Sequence, residues 1–138
     1  MPSRSKSVKI PLNIDSASNI IVLKTLLKGK RGYQLIKMVL DTGASVTTIP
    51  IETALAIGCD PSRPKKRIEM ITASGTEYVP VVVIPEIIFL GFKLKNVEAA
   101  CLNLPPKSLV SGLLGLNVLT HFDISLAFLK KFLEFSNK

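Results

Sequence analysis

The chain has 138 residues, of which 47% are hydrophobic and 20% are charged. A chain of this length and composition can bury a core of its own, which excludes a wholly disordered protein and favours one domain over two. The net charge is +8, and two cysteines with a single histidine exclude both a disulfide-rich scaffold and a four-ligand zinc site.

The first half of the chain consists of short apolar runs separated by turn residues. Residues 1–18 are rich in Ser, Lys, Asn and Pro, and we expect a basic arm that is loose or pairs with a sheet edge, followed by one folded domain over 19–138. Pro50 and Gly58 bracket helix-forming residues and predict a two-turn helix. The strands predicted in this half are Asn19–Lys28 and Tyr33–Leu40, which form a hairpin around Gly29 to Gly32, and Val46–Ile49.

The second half continues with predicted hairpins. Glycine near the tip marks one of them at Ala73-Ser74-Gly75, and Gly91 marks another. Apolar residues between Leu113 and Phe122 predict a short buried helix that is entered from a strand. The predicted strands are Arg67–Thr72, Thr76–Ile84, Ile87–Leu90, Lys93–Ala100, Asp123–Phe128 and Lys131–Ser136. This succession of short strands predicts an all-β sandwich or barrel.

One motif points to chemistry, the string Val39-Leu40-Asp41-Thr42-Gly43-Ala44-Ser45. A carboxylate at the end of an apolar strand, followed by a hydroxyl residue, a glycine and small residues, resembles the active-site loop of aspartic proteases. The hairpin around Gly75 is similar to the flap that covers the substrate in that family, and Gly112-Leu113-Leu114-Gly115-Leu116 resembles its second signature. With one Asp-Thr-Gly, the chain resembles the single-lobe, retropepsin-like group over roughly residues 19–136.

The resemblance implies an all-β, closed single-lobe barrel with a flap hairpin and one or two short helices. It also implies hydrolysis of peptide bonds by water, for which one carboxylate takes a proton and another gives one. Two adjacent carboxylates share one proton because their like charges repel. Since this chain has one such loop, the resemblance implies a homodimer with Asp41 from each copy, a peptide or protein substrate, and neither cofactor nor metal ion.

The same resemblance assigns roles to further residues. Thr42 would hydrogen-bond across the dimer axis, Gly43 would let the backbone approach the paired carboxylates, and Ala44 would keep the floor of the cleft small. The implied flap and substrate-binding residues are Thr72, Ala73, Ser74, Gly75 and Thr76. The implied pocket walls are Ile71, Val82 and Leu113.

Other interpretations of these residues have less support. We interpret His121 and Asp123 as residues at a helix end, and not as a catalytic base or a second carboxylate. The run after Asp41 lacks the second glycine of a serine-hydrolase nucleophile elbow. The Gly112–Gly115 spacing fits an RNA-clamping KH loop, but its middle residues are apolar where phosphate contacts are needed. The alternative that stays open is a catalytically silent module on the same fold that binds peptide or nucleic acid.

The positive charge is concentrated in residues 1–69, which hold 12 basic and 5 acidic side chains. Because no aromatic residues interleave with the basic ones, we expect solvated loops and no nucleic-acid site. The N-terminus lacks a signal-peptide pattern, and the most apolar window, Val79–Phe92, is too short and too interrupted to cross a bilayer. We therefore expect a cytoplasmic protein that does not contact membranes. The basic runs are Lys28, Lys30 and Arg31, and Arg63, Lys65, Lys66 and Arg67.

Overall fold

The computed structural model describes residues 5–12, 14–15, 19–72, 75–103 and 111–138. Strands dominate these residues, and the two helices are short. The strands are β1 (Ser7–Pro11), β2 (Ile14–Asp15), β3 (Ile20–Lys28), β4 (Tyr33–Leu40), β5 (Thr47–Ile49), β6 (Lys66–Thr72), β7 (Gly75–Phe89), β8 (Phe92–Cys101), β9 (Gly112–Leu114), β10 (Asp123–Ala127) and β11 (Phe132–Ser136). The helices are α1 (Ile51–Ala56) and α2 (Leu116–Leu119).

The larger sheet closes on itself. Its strand order is β2-β3-β4-β9-β5-β8-β7-β6, and β3 also pairs with β7, with Leu26 opposite Ile88. The chain from β3 through β4, β9, β5 and β8 to β7 is therefore a closed ring of strands. This arrangement confirms the predicted all-β, closed single-lobe fold with two short helices.

Alternation along the strands sets which residues enter the core. In β3, Leu23, Thr25 and Leu27 are buried, whereas Lys24 and Lys28 are exposed. This two-residue period is expected for a strand with one face on the core and one in water. The ring therefore encloses a dry interior.

A second sheet of three strands packs beside the ring in the order β1-β11-β10. In it, β1 pairs antiparallel with β11, from Ser7 opposite Ser136 to Pro11 opposite Phe132. Four phenylalanines join this sheet to the ring, because the Phe122 ring lies edge-on to Phe89, Phe92 and Phe135 at centroid distances of 4.8 to 5.5 Å. Edge-to-face contacts of this kind stabilise a core beyond the area that they bury.

One predicted break between strands is wrong. We expected Thr76–Ile84 and Ile87–Leu90 to be separate strands, because proline removes a backbone donor. The structure instead has the single strand β7 through both segments. Pairing with β8 pauses at Pro85, between Ile84 opposite Val97 and Glu86 opposite Lys95, so the missing N–H leaves no bond unmade in the ladder.

Among the described residues, no helix has the length and apolar character needed to span a membrane.

Candidate active site

The Asp41 loop lies where β9 inserts between β4 and β5. β9 runs parallel to β4, with Leu40 opposite Leu114, and antiparallel to β5, with Thr48 opposite Leu113. At the end of β4 the backbone N–H of Asp41 donates to the Leu114 carbonyl at 3.1 Å. The first and second sequence motifs, far apart along the chain, are therefore hydrogen-bonded neighbours.

Gly115 permits a close approach between the second motif and the segment that leads from the Asp41 loop into β5. A Cβ atom built there would lie 2.6 Å from the Val46 carbonyl carbon and 2.8 Å from the Thr47 nitrogen. Because both of those atoms belong to the backbone, no rotamer change could make room. One residue later, the N–H of Leu116 donates to the Ala44 carbonyl at 2.8 Å, which ties the start of α2 to the Asp41 loop.

The Asp41 side chain is half-buried and held by its own loop. Its Oδ1 atom accepts a hydrogen bond from the Gly43 N–H at 2.9 Å, and its carbonyl accepts one from the Ala44 N–H at 3.3 Å. A Cβ atom at Gly43 would lie 3.2 Å from that same Oδ1, so a larger residue would crowd the carboxylate. Thr42 and Gly43 are exposed and Ala44 is half-buried. The loop thus fixes one carboxylate oxygen and presents the residue at the surface.

Asn117 is a positioning residue that the sequence did not single out. Its Oδ1 atom accepts hydrogen bonds from the Thr47 N–H at 2.8 Å and from the Thr47 hydroxyl at 2.9 Å. Its amide nitrogen donates to the Glu98 carbonyl at 2.8 Å, and the Thr47 hydroxyl oxygen accepts from the Gly115 N–H at 3.1 Å. The side chain of Asn117, a residue of α2, is therefore hydrogen-bonded to β5 and to β8, and β5 is the strand that follows the Asp41 loop.

The flap predicted around Gly75 corresponds to the hairpin of β6 and β7. The two strands pair from Lys66 opposite Val81 to Thr72 opposite Gly75, and Gly75 has a φ of +112°, which glycine adopts readily. Thr76 is exposed on β7. The predicted tip residues Ala73 and Ser74 lie outside the described residues, and so does the Thr72 side chain. The roles of these five residues in binding substrate stay predictions.

The three predicted pocket-wall residues lie in different surroundings. Leu113 is half-buried on β9, beside the Asp41 loop. Ile71 is 89% exposed on the flap. Val82 is buried in the core and lines a cleft whose wall does not include Asp41 or its loop. Of the three, Leu113 is the one that the described contacts bring to the loop.

Neighbouring charges and burial shift the pKa values of the following side chains outside the loop. Lys65 and Lys66, each 3.1 Å from the Glu98 carboxylate, lower the pKa of Glu98. Burial raises the pKa of the Cys101 thiol to about 11 and raises that of Cys59 as well. Both thiols are therefore protonated near neutral pH, and neither is an activated nucleophile. His121 is exposed in the turn that follows α2, whereas Asp123, expected at a helix end, is exposed at the start of β10.

The sequence matches one family model, and the fold matches a solved structure. The family described as gag-polyprotein putative aspartyl protease matches residues 28–121. The crystal structure of a retropepsin-like aspartic protease from Rickettsia conorii superimposes with a TM-score of 0.71 at 21% sequence identity, covering 99% of this chain and 96% of that chain. At that identity the likeness shows the fold alone. Among curated proteins, none matches this chain in sequence.

The matched segment includes the Asp41 loop, the flap hairpin and the Gly112–Leu116 motif, and it spans more than half of the chain. The geometry agrees with it, because the two signature motifs meet in hydrogen bonds beside the half-buried Asp41 carboxylate. The chain therefore belongs to the gag-polyprotein putative aspartyl protease family and has the fold of a retropepsin-like aspartic protease.

Proposed function

We propose that the protein is an aspartic endopeptidase that works as a homodimer, with Asp41 of each copy forming a catalytic pair. The observation that carries the proposal is the Asp41 loop. One carboxylate lies half-buried at the surface between two interlocked motifs, in a chain with a single Asp-Thr-Gly. The single-lobe fold also favours dimerisation, since the proposed mechanism uses one carboxylate as base and a second as acid, and one chain supplies one such loop.

The proposed chemistry follows from the shared proton of that pair. One Asp41 carboxylate takes a proton from a water molecule, and the water oxygen attacks the scissile carbonyl carbon. The protonated Asp41 of the other copy gives its proton as the peptide nitrogen leaves.

In this proposal the Asp41 loop positions the catalytic carboxylate, and the flap positions the peptide substrate. The Gly43 N–H holds Oδ1 of Asp41 at 2.9 Å, so the carboxylate plane is fixed before substrate arrives. The Thr42 hydroxyl is exposed and, among the described residues of a single chain, has no hydrogen-bond partner, which suits a bond to the second copy. The β6–β7 hairpin supplies strand edges to which an extended peptide can hydrogen-bond.

The test is a mixing experiment with an Asp41→Asn variant. The variant alone should have no peptidase activity. When equal amounts of wild-type and variant chains exchange subunits, the mixture should have about one quarter of the activity of wild type at the same total chain concentration if both carboxylates are required, against about one half if each chain acts alone. Activity would be followed on an unstructured peptide library, with sedimentation to verify that the variant still dimerises.

The matched control is Asp123→Asn, which removes an exposed carboxylate and changes the net charge by the same amount as Asp41→Asn. It should be as active as the wild type, alone and in mixtures. An Asp41→Asn protein that cleaves at the wild-type rate, or a wild-type protein that is active and strictly monomeric, would overturn the proposal.

A further inference from the structure

The two basic runs of the sequence meet in space, although more than 30 residues separate them. The meeting point is the turn between β3 and β4, which packs on the loop after α1. Gly29 makes this packing possible, because a Cβ atom there would lie 2.0 Å from the Ile57 carbonyl oxygen. The Arg31 N–H then donates to that same oxygen at 3.2 Å. The turn is therefore locked in place against the loop.

A cleft of about 340 Å³ opens where these segments meet. Lys30 lines one side, Arg63 and Lys65 line another, and Val82 and Val83 of β7 also contribute to the wall. The Lys65 N–H donates to the Val81 carbonyl at 2.9 Å, which fixes the second basic segment to β7. Cations from two distant segments thus converge on one concave site with a partly apolar wall.

The positive charge of this cleft is only partly compensated. Asp60 lines the cleft and supplies one negative charge; hydrogen bonds from the Ser62 N–H at 2.9 Å and the Ser62 hydroxyl at 2.8 Å lower its pKa, and the charges of Arg63 and Arg31 lower it further. Lys65 shares Glu98 with Lys66. Within the described part of the chain, no carboxylate lies within 4.0 Å of the charged groups of Lys30, Arg31 or Arg63.

The Arg31 side chain borders the same cleft. Its Cγ atom lies 2.9 Å from the position that a Cβ of Gly58 would take, and Gly58 lines the cleft. Lys30 and Arg63 therefore line the cavity with no carboxylate from the described residues within 4.0 Å of their charged groups, Lys65 lines it while paired with Glu98, and Arg31 lies beside it. Guanidinium groups bind phosphate oxygens in pairs, and ammonium groups add compact positive charge.

We propose that this cleft is a binding site for a small phosphorylated compound, whose phosphate or pyrophosphate group contacts Lys30, Arg31, Arg63 and Lys65. The volume suits a small molecule and not a polymer. No aromatic residue lines the cleft, so it offers no surface on which a base of single-stranded nucleic acid could stack. The half-buried Val83 side chain of β7 would contact the apolar part of the ligand.

The test is calorimetric titration of the full chain with inorganic pyrophosphate at a salt concentration of about 0.1 M, where weak surface attraction is screened. Three proteins are compared: the wild type, the double variant Lys30→Gln with Arg63→Gln, and the matched control Lys24→Gln with Lys37→Gln. The control removes the same charge from two exposed lysines that face each other on β3 and β4. Circular dichroism verifies that all three proteins are folded.

We expect saturable binding of one pyrophosphate per chain, weakened at least about 10-fold in the cleft variant and changed less than about 2-fold in the control. The Asp41→Asn protein should bind pyrophosphate as the wild type does, so this result does not depend on proteolysis. Absence of saturable binding, or equal weakening in both double variants, would overturn the proposal. So would tighter binding of a single-stranded RNA oligonucleotide or of an acidic peptide that is lost in the same cleft variant.

Discussion

Oδ1 of Asn117 accepts two hydrogen bonds from Thr47, one from its backbone and one from its hydroxyl, across 70 residues of sequence. The amide nitrogen of the same residue reaches the Glu98 carbonyl. The Asn117 side chain therefore links β5, the strand that follows the Asp41 loop, to β8. This side chain satisfies backbone groups on two different strands, β5 and β8.

Replacing Asn117 with alanine should lower the free energy of unfolding by about 2–3 kcal/mol, because the Thr47 N–H and the Glu98 carbonyl lose their partner while partly buried. Urea unfolding measures the change. The control is Asn103→Ala, which removes one exposed bond to the Ile51 N–H and should cost less than about 1 kcal/mol. Equal losses in the two variants would show that Asn117 has no special role.

Gly115→Ala should be among the most destabilising single-methyl additions in the chain. The new Cβ would lie 2.6 Å from a backbone carbon of Val46, so β5 or the Asp41 loop would have to shift, at a cost of about 3 kcal/mol. Gly32→Ala is the control, since its Cβ would approach Ala56 no closer than 3.4 Å. Thermal unfolding compares them, and a Gly115→Ala protein as stable as Gly32→Ala would contradict the close approach.

Cys101 should resist alkylation in the folded protein, because its side chain is 1% exposed. Iodoacetamide at pH 8 should modify at most Cys59, and both thiols should react in urea, as mass spectrometry would show. Rapid modification of Cys101 in the native state would contradict this burial.

The raised pKa of Cys101 also predicts how stability changes with pH. The folded chain holds the thiol proton up to about pH 11, against an ordinary value of 9.0. The folded state therefore binds this proton more tightly than the unfolded state does. This stabilisation is fully present below pH 9 and is lost as the pH rises toward 11. Urea midpoints should fall over that range, and the decline should be smaller in Cys101→Ala than in Cys59→Ala.

Ile71→Ser tests whether the flap contacts substrate, and it rests on the proposed peptidase activity. Because Ile71 is 89% exposed, the change should alter stability by less than about 0.5 kcal/mol. KM for an apolar peptide should rise several-fold, since an apolar contact with the substrate is lost. Leu129→Ser is the matched control, as Leu129 is 95% exposed on the turn between β10 and β11. If both variants raise KM equally, Ile71 has no specific contact with substrate.

Much of the fold could be predicted because its signals are local. The strand Tyr33–Leu40 has the predicted bounds, and the turn around Gly91 lies between Phe89 and Phe92 as expected. The rule that proline ends a strand failed at Pro85. There the ladder pauses opposite Asn96, whose φ of +54° takes it out of the strand conformation.

The parts of the site that could not be predicted depend on long-range packing. Asn117 is one polar residue in an apolar run, and its partners Thr47 and Glu98 lie 70 and 19 residues away. The two basic runs looked like separate loops because nothing near Lys30 in sequence indicates that Gly29 packs on Ile57. The Asp41 motif could be recognised in the sequence because the residues that surround the carboxylate, Thr42 to Ala44, directly follow Asp41 in the chain.

The insertion of β9 between β4 and β5 also constrains when the loop can become ordered during synthesis. A ribosome that has released the chain only as far as β8 has produced Asp41 together with its neighbour strand β3, but the support from Leu114, Gly115 and Asn117 is still to come. Contacts of such long sequence separation form slowly. A chain that ends before residue 111 is therefore expected to lack an ordered Asp41 loop, and with it the peptidase activity proposed above.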